Sequence, residues 1–315
     1  MKLVFFGSSR YCLPVVKSLA DNFELKLIAA KDNKSPVANF ARQNSLPFVY
    51  AQTRADLLSF GKKIREIAPI LLVVADFGLI IPKEIFSLPD KGTVNIHFSR
   101  LPELRGASPV QYTILAGENK AWITFQQMAE GLDSGSVIFL EHLPLSGDER
   151  TDELYTRLFT RTAALAPQVL KDYLSGKIKT RPQDHSLATF TKILNRKDGF
   201  IPWDIFIFAS LGQSAPPEKE KTAFNFALRR SASLAEAVER TVRALHPWPG
   251  VWTEIDLNGR KRRLKIIEGV HAGGKFVPRK VQLEGKKPVT WKQFLEGYGD
   301  SLPSTSSMAW KSSLK

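Results

Sequence analysis

The sequence predicts an α/β protein: a mainly parallel sheet with helices on both faces, followed by a small β-barrel. Three features carry this expectation. Strand-like and helix-like stretches alternate over the first half of the 315 residues, and Ile70–Ala75 is apolar without a break, as a strand buried on both faces requires. The end of the chain divides into short strand-like stretches separated by glycine-containing turns.

Lys2–Phe6 reads as the first strand, ending at Gly7, and Leu13–Ala20 as the helix after it. Leu25–Ala30 is the next strand, followed by a helix around Val37–Arg42 and a long helical stretch from Ala55 to Glu66 that leads into Ile70–Ala75. Strand signals recur at Thr93–Ile96, Trp122–Met128 and Val137–Leu140. Thr151–Leu174 is amphipathic, with Leu154, Leu158, Leu165, Val169 and Tyr173 along one face and Gly176 as its stop. From Pro182 the texture becomes polar and turn-rich, and Pro202, Pro216 and Pro217 argue against regular elements there. Ser233-Leu-Ala-Glu236 is a capping-box pattern opening a helix that carries Leu234, Val238, Val242 and Leu245 on one side and ends at His246-Pro-Trp-Pro-Gly250. Val251–Ile255, Arg263–Glu268, Lys275–Pro278 and Lys280–Leu283 follow as barrel strands. The expected division is a first domain over 1–181, a linker over 182–225, a carboxyl-terminal domain over 226–300 and a flexible tail over 301–315.

With 43% hydrophobic and 24% charged residues, the chain can bury a sizeable core. No amino-terminal leader pattern is visible and the apolar runs are too short to cross a bilayer, so a soluble, cytoplasmic protein without membrane contact is expected, and a monomer. The single cysteine, Cys12, excludes an internal disulfide framework, and the five histidines show no metal-ligand spacing. No metal is expected. The net charge of +14 is large enough to attract a polyanion.

Chemistry concentrates in two places. In a strand, Asn95 and His97 project to the same face where Thr93–Ile96 runs out toward a loop, the edge of an open α/β sheet at which ligands bind. Glu130-Gly131-Leu132-Asp133-Ser134-Gly135 is a glycine-flanked turn able to present the Asp133 carboxylate beside another polar group. Together the three residues form an acyl-transfer set. The Asn95 amide can donate to a carbonyl oxygen and the oxyanion formed from it, and His97 can add a second donor or move a proton. Asp133 can orient the imidazole and take part in moving the proton lost by an attacking amine.

These motifs carry a resemblance. Asn95-Ile-His97 with Ser99-Arg-Leu-Pro102 and Arg105-Gly106-Ala-Ser-Pro109, the Gly131–Gly135 turn, and Val74-Ala-Asp76-Phe-Gly78-Leu-Ile-Ile-Pro82 resemble the methionyl-tRNA formyltransferase branch of the 10-formyltetrahydrofolate-dependent formyltransferases. The resemblance implies a Rossmann-like catalytic domain over 1–181 and an OB-like tRNA-binding domain over 226–300. It implies transfer of a formyl group from the co-substrate 10-formyltetrahydrofolate to the methionyl amino group of initiator methionyl-tRNA, with Asn95, His97 and Asp133 catalytic. It further implies that Asp76, Phe77, Gly78, Leu79 and Ile80 offer backbone groups to the pterin ring, and that Ser99, Arg100, Leu101 and Pro102 border the folate. Arg196–Trp203, His246–Gly250 and Val281–Trp291 resemble the linker and carboxyl-terminal domain of that branch. After Ile205 there are about nine more basic than acidic residues, with Arg260, Lys261, Arg262 and Arg263 the densest cluster and the expected RNA contact. Asn258-Gly259 before them predicts a hairpin turn.

Phe6-Gly7-Ser8-Ser9 has too few glycines for a nucleotide loop and reads as a tight turn, and Trp203, Trp248, Trp252 and Trp291 read mainly as core. The rival enzyme is a formyltransferase acting on a nucleotide-linked amino sugar, and the rival of another class is a non-catalytic tRNA- or folate-binding protein on the same scaffold.

Overall fold

The structure, a computed structural model, describes residues 1–214 and 222–302. Beyond Leu302, the expected tail lies outside the described residues, as do Pro216 and Pro217. The chain forms two compact units, one of residues 1–109, 120–144 and 154–192, the other of residues 110–119, 145–153 and 193 onward.

In chain order the elements begin with β1 (Lys2–Phe6), α1 (Leu13–Asn22), β2 (Glu24–Ala30), α2 (Pro36–Gln43) and β3 (Phe48–Tyr50). Next come α3 (Arg54–Ser59), α4 (Gly61–Ile67), β4 (Leu71–Val74), α5 (Lys83–Phe86), β5 (Thr93–His97) and β6 (Arg105–Gly106). They are followed by α6 (Pro109–Ala116), β7 (Lys120–Gln127), β8 (Val137–Pro144), α7 (Thr151–Leu174) and β9 (Phe190–Thr191). The main sheet has the order β3-β2-β1-β4-β5-β7-β8. Its first five strands are parallel, and β7 and β8 each run antiparallel to the neighbour before them. Every residue of β4 is buried, as its uninterrupted apolar sequence requires of a strand between β1 and β5. The order reverses between β1 and β4, which places a ligand crevice outside the carboxyl ends of β1, β4 and β5.

One expected helix is two. The Ala55–Glu66 stretch breaks at Phe60, and the break lets Leu57, Phe60 and Ile64 all enter the cluster that holds Val4, Phe6 and Leu72. Each such side chain removed from water contributes about 1.5–3 kcal/mol, more than one lost helical turn costs. Thr53 and Asp56 form a capping box that starts α3.

The second unit adds α8 (Trp203–Leu211), α9 (Ala223–Leu228), α10 (Leu234–Ala244), β10 (Val251–Leu257), β11 (Arg260–Ala272), β12 (Lys275–Leu283), β13 (Val289–Thr290) and α11 (Trp291–Tyr298). β10 to β13 make a four-stranded antiparallel sheet in sequence order, and α8, α10 and α11 pack on it. α8 corrects the expectation that prolines keep this stretch irregular. Pro202 stands at its N-cap, where no amide hydrogen is needed, and Gly212 closes it with φ +73°. Phe206 of this apolar helix meets the rings of Phe276 and Trp291. In α10 the Ser233 side chain accepts from Glu236 N as expected, while the Glu236 carboxylate reaches one residue further back, to Ala232 N. Asn258 and Gly259 both take positive φ between the paired residues Leu257 and Arg260, as a two-residue hairpin turn demands. Lys275–Leu283 is one strand rather than two, with an irregular register opposite Ile266–Gly269 absorbing Pro278.

Segment 145–153 is held by Glu149, whose carboxylate accepts from Ser146 N at 2.9 Å, Ser146 Oγ at 2.9 Å and Gly147 N at 3.0 Å. Burial raises its pKa, but these donors outweigh burial and hold it at about 2 against an ordinary 4.5. Because the folded value lies below the unfolded one, this contribution to stability is full above the unfolded pKa and is lost as pH falls toward 2. Glu149→Gln is therefore expected to lower the Tm at neutral pH and to converge on the parent in acid. Thermal melts across that range check this, and a Tm gap independent of pH contradicts it.

Candidate active site

Asn95 and His97 lie on one face of β5, opposite Gln126 and Thr124 of β7. His97 is 6% exposed, and its Nε2 lies 3.0 Å from Leu104 O. A carbonyl oxygen only accepts, so Nε2 carries the hydrogen of this bond and Nδ1 is the nitrogen turned toward Asp133, 3.7 Å from Oδ2. The ring is thus oriented by Leu104 rather than by Asp133, which stands beyond hydrogen-bond reach.

Asp133 is the hub. It adopts a left-handed backbone, φ +45°, within the Gly131–Gly135 turn. Its Oδ1 accepts from Asn95 Nδ2 at 3.2 Å and Gln126 Nε2 at 2.9 Å, and Oδ2 accepts from Gly106 N at 2.8 Å. The turn is clamped from outside by Gln183, whose Nε2 donates to Asp133 O at 2.9 Å and Gly135 O at 2.6 Å. The same Gln183 accepts from Arg105 Nη2 at 2.6 Å, and Arg105 Nη2 also meets His185 Nδ1 at 2.9 Å. Loss of solvent lowers the Arg105 pKa, and the Asp133 charge opposes that shift. Gly106 has φ +108°, and a Cβ there would stand 2.6 Å from Thr191 O, so only glycine brings this amide to Oδ2.

The three expected catalytic residues therefore converge around one carboxylate. Gln126, Gln183 and the Leu104 carbonyl were not anticipated. Gln126 had a signal, since Thr124 and Gln126 are buried polar residues on one face of a strand whose other face carries Ala121, Ile123 and Phe125. Gln183 had none, because it joins the site from 50 residues beyond Asp133.

Asp76–Ile80 follows β4 and Ser99–Pro102 follows β5, each with one residue between, so both expected folate segments lie at the carboxyl edge of neighbouring strands. Phe77 and Leu101 are buried, Phe77 against Phe6, whereas Ile80 is 88% exposed and Arg100 lies over the Trp122 ring. Asp76 and Gly78 take positive φ, and Leu79 is partly buried. Ser99 Oγ donates to Glu103 O, tightening the second segment, and Pro102 O accepts from Thr189 N. A cavity of about 650 Å³ beside this edge is lined by Ser8, Ser9, Lys31, Lys34, Gln52 and Asp76 among others. Ser8 Oγ donates to Phe77 O and accepts from Lys31 N, tying together the ends of three strands. Cys12 is buried as expected, and burial pushes its thiol pKa up to about 12. Among the described residues, no group of three or more His, Cys, Asp or Glu is placed to hold a metal, and no helix is long and apolar enough to cross a membrane.

In the second unit the expected basic cluster occupies the first four positions of β11. Arg262 donates to Glu284 O and Arg263 stacks over Trp252, its guanidinium 4.3 Å from the ring centroid. Arg260 and Lys261 are exposed at the hairpin end. Trp291 is core, whereas Trp248 is 55% exposed.

A family model described as formyl transferase matches residues 15–170, a span that contains Asn95, His97 and Asp133. Over that span the chain matches the formyl transferase family. The methionyl-tRNA formyltransferase of Geotalea daltonii is 28% identical over 327 residues, covering 95% of this chain and 96% of that one. Among solved structures, the methionyl-tRNA formyltransferase from Clostridium thermocellum aligns with a TM-score of 0.54 at 18% identity, over 90% of this chain and 98% of that one. The N-formyltransferase from Helicobacter canadensis, in complex with folinic acid and dTDP-3-aminofucose, aligns with a TM-score of 0.57 at 18% identity over 86% and 87% of the two chains. Both structural likenesses concern the fold alone.

Proposed function

We propose that this protein moves the formyl group of 10-formyltetrahydrofolate to the methionyl amino group of initiator methionyl-tRNA, acting as a cytoplasmic monomer. The observation that carries it is the convergence of Asn95, His97 and Asp133 in a chain aligned over 95% of its length with a methionyl-tRNA formyltransferase. The rival amino-sugar acceptor has support from the fold alone.

The amine nitrogen attacks the formyl carbon, the new C–N bond forms, and the carbonyl electrons move onto oxygen. One Asn95 amide hydrogen is engaged by Asp133, which leaves the other to donate to that oxygen, and His97 adds a second donor through Nδ1 in its imidazolium form. Asp133 accepts the proton that the amine sheds. As the carbonyl reforms, the bond from carbon to the folate N10 breaks and N10 takes up the proton that Asp133 had accepted, leaving tetrahydrofolate, the formylated amine and the free carboxylate. The backbone of Asp76–Ile80 and the Ser99–Pro102 loop hold the folate, and Arg260–Arg263 contact the RNA.

Transfer assays with methionyl initiator tRNA and with an amino-sugar nucleotide test this. The expected result is transfer to the tRNA alone, falling about 10²- to 10³-fold in kcat for His97→Ala. The KM for tRNA is expected to rise with salt, less steeply when Arg260 and Lys261 are both replaced by alanine. Transfer to the sugar alone overturns the acceptor, and no transfer to either overturns the activity.

A further inference from the structure

Gln126 is 1% exposed and paired across the sheet with Asn95. The amide ends of both side chains point at the same oxygen, Asp133 Oδ1. The other end of the Gln126 amide, Oε1, is buried with no hydrogen-bond partner among the described residues. A half-satisfied buried amide is a costly way to fill space, and a methionine or leucine of similar volume would leave nothing unpaired. Turning the amide over would not relieve it, because Oε1 would then face Oδ1 with two acceptors in contact. The donor end is committed to the Asp133 carboxylate, and the charge-assisted bond made there offsets the unpaired carbonyl.

We propose that Gln126 is a positioning residue: it holds the Asp133 carboxylate in the rotation that leaves Asn95 with one amide hydrogen for the reacting carbonyl oxygen. With Gln126 and Asn95 sharing Oδ1, and Gly106 N fixing Oδ2, the carboxylate cannot turn about its own bond. Without Gln126 a single long bond, 3.2 Å from Asn95, holds Oδ1, and Asn95 then follows the carboxylate instead of the substrate. The charged groups facing this amide are Asp133 and, beyond it, His97 and Arg105.

This rests on the proposed formyl transfer, and two variants with two readouts separate the ideas. Gln126→Met keeps volume and removes the donor; Gln126→Glu keeps shape and sets a carboxylate against a carboxylate. Gln126→Met is expected to melt within a few degrees of the parent, and Gln126→Glu lower, since it buries a second carboxylate beside Asp133. Gln126→Met should lose about 10- to 100-fold in kcat with KM for both substrates within about twofold, and Gln126→Glu should lose more. A role in filling space predicts no loss in Gln126→Met, which keeps the volume, so Gln126→Met at the parental rate overturns the proposal. The second readout needs no turnover: hydrogen exchange of the Asn95 side-chain amide, followed by NMR in the ligand-free protein, should quicken about fivefold or more in Gln126→Met. Unchanged exchange overturns the proposal even if the parent transfers no formyl group, an outcome that would itself sink only the assigned reaction.

Discussion

Asp133→Asn is expected to lower kcat for formyl transfer by about 10³-fold, and to destabilise the first unit by about 1–3 kcal/mol. The two losses share one cause. The carboxylate receives N–H donors on both oxygens, from Asn95 and Gln126 on Oδ1 and from Gly106 on Oδ2. Asparagine offers one oxygen and one amino group, so one side must present a hydrogen to a hydrogen. If the amino group takes the Oδ2 position it meets the Gly106 backbone amide, which cannot turn away. If it takes the Oδ1 position, Asn95 and Gln126 must both turn over to present their carbonyl oxygens, and Asn95 then aims its donor away from the formyl oxygen. In either arrangement the group that accepts the amine's proton is gone. Single-turnover rates together with thermal melts check this. A variant with kcat within about tenfold of the parent would remove the carboxylate from the reaction.

How far such a site can be read from sequence depends on whether its parts share an element. Asn95 and His97 sit two apart on one strand, a spacing that specifies a common face before any tertiary contact exists. Asp133 is marked by its flanking glycines. Gln126 enters through the antiparallel register of β5 and β7, which places it opposite Asn95, and a pairing register is a property of the folded sheet. Leu104 contributes a carbonyl, and a backbone atom carries no residue-specific signal. The same logic governs the fold. β4 and α7 were legible because a continuous apolar run and a sustained 3.6-residue period are long, redundant signals. β3 is three residues after a proline, two half-buried and Tyr50 exposed, too short to carry a period. α8 is apolar on every side, so it has no amphipathic face to detect, and its identity as a helix rests on the layer packed around it.

Gly135→Ala is expected to be as damaging as losing a catalytic side chain, although residue 135 contributes none. A Cβ at this position would stand 1.7 Å from Gln127 O and 2.8 Å from Gln127 C, both backbone atoms at the end of β7. Real Cβ contacts do not fall below 3.0 Å, so the Asp133 turn and the strand must separate by more than 1 Å. The hydrogen bonds that hold Asp133 measure 2.8–3.2 Å and do not survive such a shift, nor does the bond from Gln183 to Gly135 O. A misplacement of that size costs about 10²-fold in rate, and forcing an overpacked backbone contact costs roughly 1–3 kcal/mol in stability. Gly131, in the same turn, is the control. Its added Cβ would lie 2.5 Å from Ser134 Oγ and 3.0 Å from Ser134 Cβ, a hydroxyl side chain that can rotate aside. Gly131→Ala should therefore lose only the Ser134 bond to Gly131 O, and retain kcat within about threefold. Measuring kcat and Tm for the pair decides whether the close backbone approach at 135 sets the geometry of the site. Equal behaviour of the two variants would show that the turn tolerates displacement, and that Asp133 is held by the partners of its carboxylate alone.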